Sequence, residues 1–338
     1  MEKTSLILHN YKLGVIILAK PNILIISFYY LMIIYLLFNL NKDHYKKMVL
    51  MIPILLVHNN INYFNFKPYL VFIDVGQGDS ILINLPYNQG IILIDTGGRY
   101  NFNNQPWATK NKNNSIASNL IIPYLKSEGI KRIDYLFITH GHIDHMGEAL
   151  ELVDSYKVKN LVFNGVKSTN SELSLIKALE NQGKTYFFAQ EGDAICIKTY
   201  CFYILHPSKD INTNDNSLVI YTVLNNKHIL LTGDISSSIE KKIINTYNFK
   251  GMDILKIAHH GSLTSSDEMF LDSLNPKYAV IQVSKNNKFN HPHPVVMERL
   301  KKREIKTFLT SNYGSVRFNL YKKEVTIDSV ISYDILEH

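Results

Sequence analysis

An apolar run, YLFI (135–138), stops at Thr139, and four metal-ligating side chains follow within six residues: His140, His142, Asp144 and His145. No other feature restricts the fold of this chain as strongly. The run reads as a strand and a helix is expected from about Met146, so the four side chains leave a strand end and converge in one small volume. Imidazole suits zinc or manganese, and a carboxylate completes such a donor set. Solvated loop residues are the weaker reading of so dense a cluster.

Other ligand-type residues recur at the ends of later apolar runs. Asp234 closes HILLTGD (228–234), His259 and His260 close DILKIAHH (253–260), and His291 and His293 lie in HPHP (291–294). A lone Asp at a strand end is ordinarily a cap or turn residue. The repeated placement after HxHxDH favours a shared centre, in which Asp234 is the candidate to bridge two metals.

From Lys67 onward the chain reads as α/β. Strand-like runs fall at 69–75, 80–85, 91–97, 135–140, 217–224, 228–234, 253–260 and 278–284, and helical patterns at 115–128, 145–155, 171–182, 237–246, 266–274 and 294–303. Segment 99–114, rich in Asn and Lys, reads as a surface loop. Cys196 and Cys201 are the only cysteines. They read first as two small apolar strand residues; if Lys198-Thr199 is a two-residue turn they face each other, and a disulfide is open to them in an oxidising compartment.

The N-terminus differs in kind. Residues 21–40 contain no charged side chain, a length that spans a hydrocarbon core as a helix. A cleaved leader fits less well, because the apolar run is long, starts late and lacks a small-residue cleavage site. Lys42, Lys46 and Lys47 follow, then a second, shorter apolar stretch, giving expected spans at about 21–40 and 48–64. Six Lys/Arg against two Asp/Glu in residues 1–66 leave +4 of the total +7 there, hence +3 for residues 67–338. That charge fits membrane topology better than a nucleic-acid patch. With the lysines cytoplasmic and two crossings, residues 67–338 lie outside the cytoplasm; with one crossing the placement reverses. Lys256, Lys285, Lys288 and Arg317 are the candidates for a local basic patch.

HGHIDH followed by LLTGD resembles the metallo-β-lactamase superfamily. The ordered set IDVGQGDSILI (73–83), IDTGG (94–98), THGHIDHMG (139–147), NDNSLVI (214–220), LLTGD (230–234), DILKIAHHGS (253–262) and HPHP (291–294) resembles, over about residues 67–320, the C-terminal hydrolase domain of the ComEC family of competence DNA-uptake channel proteins. The resemblance implies an αββα sandwich, here preceded by one or two transmembrane helices. It implies two divalent metals, zinc or manganese: one on His140 and His142, the other on Asp144, His145 and a histidine of the pair His259–His260, with Asp234 bridging. It implies hydrolysis of a phosphodiester, with Asp144 orienting the attacking hydroxide and His291 or His293 serving the leaving side; for His293 a surface-loop role is equally open. Ser262, with Thr264, Ser265 and Ser266, is a candidate phosphate contact.

Two departures stand out. No histidine suited to complete the first metal lies between HxHxDH and Asp234: His228 begins its strand at the wrong end, and His206 reads better as a turn residue. Asn214, Asn216 and Ser217 lie near where that ligand belongs and are candidates for weak metal or substrate contact. Asp79, in the Gly-rich turn, is either a support for a ligand histidine or a turn residue. The chain also has at most two spans, too few to form a channel. The expected function is a membrane-tethered nuclease or phosphodiesterase with single-stranded DNA and other channel components as partners. The alternatives are a hydrolase of a small lactam, thioester or cyclic nucleotide, and a non-catalytic metal-binding accessory domain.

Overall fold

A computed structural model of the chain describes residues 16–38, 44–99, 115–166, 169–208, 212–249 and 251–330. Most of the expected loop 99–114, and residues 41–43 of the basic loop, lie outside them. The chain divides into two compact units, Met1–Asn65 with Pro123–Lys131, and Phe66–Ile122 with Arg132–His338.

In the first unit a helix covers Ile23–Phe38, sixteen uncharged residues of which none is buried. The stretch expected as a second span is divided: a nine-residue helix, Met51–Asn59, is followed by a 3-10 turn at Ile61–Phe64. Among the described residues, no helix is long and apolar enough to cross a membrane. His58 ties this unit together, with Nδ1 at 2.9 Å from the Tyr29 hydroxyl and Nε2 donating to the Ala19 carbonyl at 2.8 Å.

The second unit is a mixed α/β sandwich of two sheets. In chain order its strands are β1 (Tyr69–Phe72), β2 (Ile81–Asn84), β3 (Ile91–Ile94), β4 (Ile133–Ile138), β5 (Val158–Asn164), β6 (Thr185–Ala189), β7 (Ala194–Ile197), β8 (Tyr200–His206), β9 (Val219–Leu224), β10 (Lys227–Leu231), β11 (Met252–Lys256), β12 (Pro276–Ile281), β13 (Lys306–Leu309), β14 (Ser315–Leu320) and β15 (Val325–Val330). One sheet runs β15-β14-β1-β2-β3-β4-β5-β6 and the other β13-β12-β11-β10-β9-β8-β7. Each is antiparallel at one end and parallel at the other: β3 to β6 pair in parallel in the first, β10 to β13 in the second. A parallel pair needs a crossover, and the helices at Asn170–Asn181, Ser237–Thr246, Glu268–Leu274 and Pro294–Lys302 belong to those crossovers.

Strands covered on both faces read as unbroken apolar runs, which is why IILI and IDYLFI were legible as strands. Phe72, Ile81, Ile94, Phe137, Phe202, Ile229, Ile254 and Phe318 share one core between the sheets. Leu230, Leu255 and Ala279 instead meet Ile239, Ile243, Phe270, Leu271 and Leu300 of the covering helices in a second core. Ligand sites in such sheets form where parallel strands end. The C-terminal ends of β3, β4, β10 and β11 deliver Asp95, His140, Asp234 and the His259–His260 pair.

The two cysteines settle on the second of their two readings. β7 and β8 form a hairpin whose register places Cys196 opposite Cys201, and the pair is disulfide-bonded. Lys198 takes the left-handed conformation, φ 57°, that this two-residue turn requires.

Candidate metal centre

The HGHIDH segment turns from β4 into a single helical turn, Ile143–Met146, which His142 precedes in extended conformation. Two glycine-rich turns make room for it. A Cβ on Gly98 would lie 2.0 Å from the Ile143 carbonyl oxygen, and one on Gly78 2.1 Å from that of Asp144. Glycine is required at both because the backbones touch. Asp79 N donates to Asp144 O at 3.1 Å and Thr96 N to His145 O at 2.7 Å, so GQGD and DTGG stitch directly onto the ligand turn.

Asp144, His145, Asp234 and His260 converge: each offers one donor atom, and these atoms all lie within 4.8 Å of one another, all buried. Asp234 Oδ2 is 3.1 Å from His145 Nε2 and 3.6 Å from His260 Nε2, and Asp144 Oδ2 is 3.4 Å from His260 Nε2. His260 Nε2 and Asp234 Oδ1 nevertheless have no hydrogen-bond partner, nor does the buried His140 Nε2. Two imidazoles and two carboxylates around one point, with Asp234 Oδ1 and the Nε2 atoms of His145 and His260 unmatched, fit a divalent ion.

The imidazole tautomers are set from behind. His145 Nδ1 lies 2.7 Å from Asp95 Oδ2, and His260 Nδ1 donates to the Gln282 carbonyl at 2.8 Å, so both present Nε2 to the centre. Asp95 is held by the Thr139 amide and hydroxyl at 2.8 and 2.6 Å. Gln282 in turn donates to the carbonyls of Ile73 and Ser80, both at 3.0 Å. Burial works against charge on His145, but Asp234, Asp95 and Asp79 outweigh it and hold the imidazole well above its ordinary value. Burial likewise opposes ionisation of Asp234, and His145 and His260 overcome it, keeping that carboxyl well below its usual range.

His140 and His142 adjoin this group. Their ring centroids are 4.8 Å apart, and that of His140 is 4.1 Å from His145. His140 Nδ1 lies 3.2 Å from both the Thr139 and Ser217 hydroxyls. Burial and His145 hold His140 well below its ordinary pKa, which leaves it neutral, the ligating form. Of the His259–His260 pair, His260 enters the cluster. Both take left-handed φ, 50° and 52°, and this sharp turn sends His259 towards His291, centroids 5.6 Å apart. His206 is absorbed by the Asp215 carbonyl, 2.6 Å from its Nε2, as its turn reading requires.

Several expected contacts are placed otherwise. Ser217 is fully buried; its hydroxyl accepts from the Asp234 amide at 3.0 Å and donates to Asn214 O at 2.6 Å, so it braces the Asp234 backbone. Asn216 is also buried, with its amide bonded to Asn212 O. Ser265 and Ser266 are buried, and Ser262 pairs with the Thr264 hydroxyl at 3.0 Å. His293 caps the helix Pro294–Lys302, its Nδ1 accepting from the Val295 amide at 3.3 Å. His291 is half-buried beside His260, and burial together with His260 and His259 holds it down at about 4.

Lys256 is the largest correction. Grouped by sequence with surface lysines, it is 1% exposed, with Nζ 2.6 Å from Asp79 Oδ2, 2.9 Å from Gly233 O and 3.7 Å from Asp234 Oδ1. Burial opposes its charge, and Asp79 and Asp234 more than restore it. Asp79 therefore supports the centre through this ammonium, while also lying 3.5 Å from His260 Nδ1. Asp95, Lys256 and Gln282 are the supports that sequence reasoning did not single out. The only signal was their position in the apolar motifs IDTGG, DILKIAHH and YAVIQVS, of which DILKIAHH ends at a ligand-type pair.

Fold and centre define a metallo-hydrolase architecture, and comparison agrees: residues 73–180 match the metallo-beta-lactamase superfamily. The chain is a relative of competence proteins. It is 35% identical over 261 residues to ComE operon protein 3 of Bacillus subtilis (strain 168), covering 76% of this chain and 34% of that protein. It is 31% identical over 258 residues to Recombination protein 2 of Haemophilus influenzae, covering 75% and 29%. It is 28% identical over 250 residues to Competence protein ComA of Neisseria gonorrhoeae, covering 73% and 31%. These matches are consistent with the ComEC family of competence proteins, and the chain spans about a third of the length of the curated relatives it matches.

Proposed function

We propose that this chain is a membrane-tethered, metal-dependent phosphodiesterase that cuts single-stranded DNA during DNA uptake. The observation that carries the reading is the buried group Asp144, His145, Asp234 and His260, whose donor atoms all lie within 4.8 Å of one another. These four would hold one divalent ion, and His140 and His142, with Asp234, a second, zinc or manganese. Divalent ions there supply Lewis acidity and a nucleophile at neutral pH. The chain's own residues do the rest. Asp95 and Gln282 fix the tautomers of His145 and His260, Ser217 fixes the Asp234 backbone, and in this reading Asp144 orients the attacking oxygen. In this reading His291, half-buried beside His260, serves the leaving side. The ion at His140 and His142 would have two histidines and no third, so it would be held more weakly. The names of the competence relatives favour DNA over a lactam as substrate.

The tether is Ile23–Phe38, an apolar helix with no buried residue. At about 1.5 Å per residue its sixteen residues reach about 24 Å, and the uncharged residues on either side extend the run towards the ~30 Å of a hydrocarbon core. The Cys196–Cys201 disulfide supports an extracytoplasmic hydrolase unit. The test is cleavage of a single-stranded oligonucleotide by the full chain in detergent with manganese or zinc. Cleavage abolished by chelator and by Asp144→Ala supports the proposal, and hydrolysis of a lactam with no action on DNA sinks it. Thiol labelling of intact cells after reduction tests the placement: Cys196 reached only after lysis puts the unit inside.

A further inference from the structure

Three near-parallel rings run from the buried centre to solvent. His260 lies beside His291, centroids 6.4 Å apart and planes 29° apart, and His291 beside Phe289, 5.8 Å and 27°. His260 is 1% exposed and Phe289 50%. A single exposed phenylalanine is ordinary, but this one is held. The Asn287 side chain uses all four of its hydrogen-bonding positions on the loop that carries it. Its Nδ2 donates to Ser284 O at 3.0 Å and His291 O at 2.6 Å, and its Oδ1 accepts from the amides of Phe289 at 3.2 Å and His291 at 2.9 Å. The Ser284 amide is tied further, to Gln77 Oε1 at 3.3 Å, in the turn that also carries Asp79. The same loop exposes Lys285 and Lys288.

We propose that Phe289 is a specificity-determining residue whose solvent face stacks a nucleobase of a single-stranded substrate while the phosphate beside that nucleotide lies at the metal centre. The proposal rests on the phosphodiesterase reading. The ring stacks against His291 on one side, half of the side chain is open to solvent, and the same loop carries two exposed lysines, the combination by which proteins hold unpaired nucleotides without reading sequence. A duplex, whose bases are already stacked, gains nothing from such a face, so the arrangement selects single strands.

The test compares two single-stranded oligonucleotides, one all thymidine and one with the same backbone but abasic spacers. Both are measured on the full chain and its Phe289→Ala and Phe289→Trp variants, for binding by fluorescence anisotropy at fixed salt and for cleavage. Base–aromatic stacking predicts that Phe289→Ala weakens binding of the thymidine strand by about 5- to 100-fold and raises KM alike, with kcat held. The abasic strand should change by less than about twofold, and Phe289→Trp should bind the thymidine strand at least as tightly as the natural chain. Equal losses on both strands, or none on either, overturn the proposal. If the natural chain cuts neither strand, the phosphodiesterase reading fails, and the binding comparison by itself still decides whether Phe289 stacks a base.

Discussion

Replacing Lys256 with methionine keeps the length of the side chain and removes its charge. The ammonium lies 2.6 Å from Asp79 Oδ2, and the two side chains are 1% and 2% exposed. At an effective dielectric of about 20, opposite unit charges at that distance attract by roughly 6 kcal/mol before desolvation offsets part of it. Methionine leaves Asp79 buried without its counter-charge and strips a donor from the Gly233 carbonyl. The expected destabilisation is about 3–5 kcal/mol, the range for breaking a buried pair from one side. The assay is urea unfolding of the full chain in chelator, followed by circular dichroism. Asp79→Asn in the same background removes the stranded charge. The double variant should therefore be more stable than the sum of the two single losses, with a coupling of about 2 kcal/mol or more. A Lys256→Met loss under 1 kcal/mol, or strictly additive losses, refutes the claim that this lysine is an internal counter-ion of the centre.

Gly98→Ala should cost more than about 3 kcal/mol or abolish the folded centre, because its Cβ would sit 2.0 Å from the Ile143 carbonyl oxygen; a stable, metal-binding variant would contradict the close approach. Glu240 receives the amides of Ser266 and Asp267 at 2.7 and 2.9 Å. Burial pushes it up to about 7 from 4.5, more than those amides pull it back. A raised carboxyl stabilises the fold fully below its unfolded value, and this is lost as pH rises through about 7. Stability should thus fall by at most about 3 kcal/mol between pH 5 and 8, and Glu240→Gln should flatten the profile. Reduction of Cys196–Cys201, which closes a short hairpin, should lower stability by about 2 kcal/mol or less. The double Cys196→Ser/Cys201→Ser variant should not respond to reductant, and free thiols in the unreduced chain would contradict the bond.

What the sequence made legible follows from how local each signal is. β1 to β4 and β9 to β12 are apolar runs bounded by turn residues, and all were readable. β6, TYFFA, is an edge strand with only Ala189 buried, so no alternation marks it. β14 owes its place to pairing with β1, nearly 250 residues away, and no local pattern encodes that register. The candidate ligands were legible because each lies just after the end of an apolar strand. The choice of His260 over His259 was not, since it is made by two successive left-handed residues. Asp95 and Lys256 gain their roles only when β3, β4 and β11 meet, so by sequence Lys256 looks like any surface lysine.

The central claim is a metal centre built on Asp144, His145, Asp234 and His260, with a weaker neighbour on His140 and His142. It is tested most directly by counting divalent ions on the full chain, by elemental analysis after desalting and by titration with manganese and zinc. The account predicts one ion per chain that survives desalting and a second that binds at higher concentration. His140→Ala should lose the second ion and Asp234→Ala both. A natural chain that binds no stoichiometric ion, or an Asp234→Ala variant that binds as the natural chain does, would contradict it.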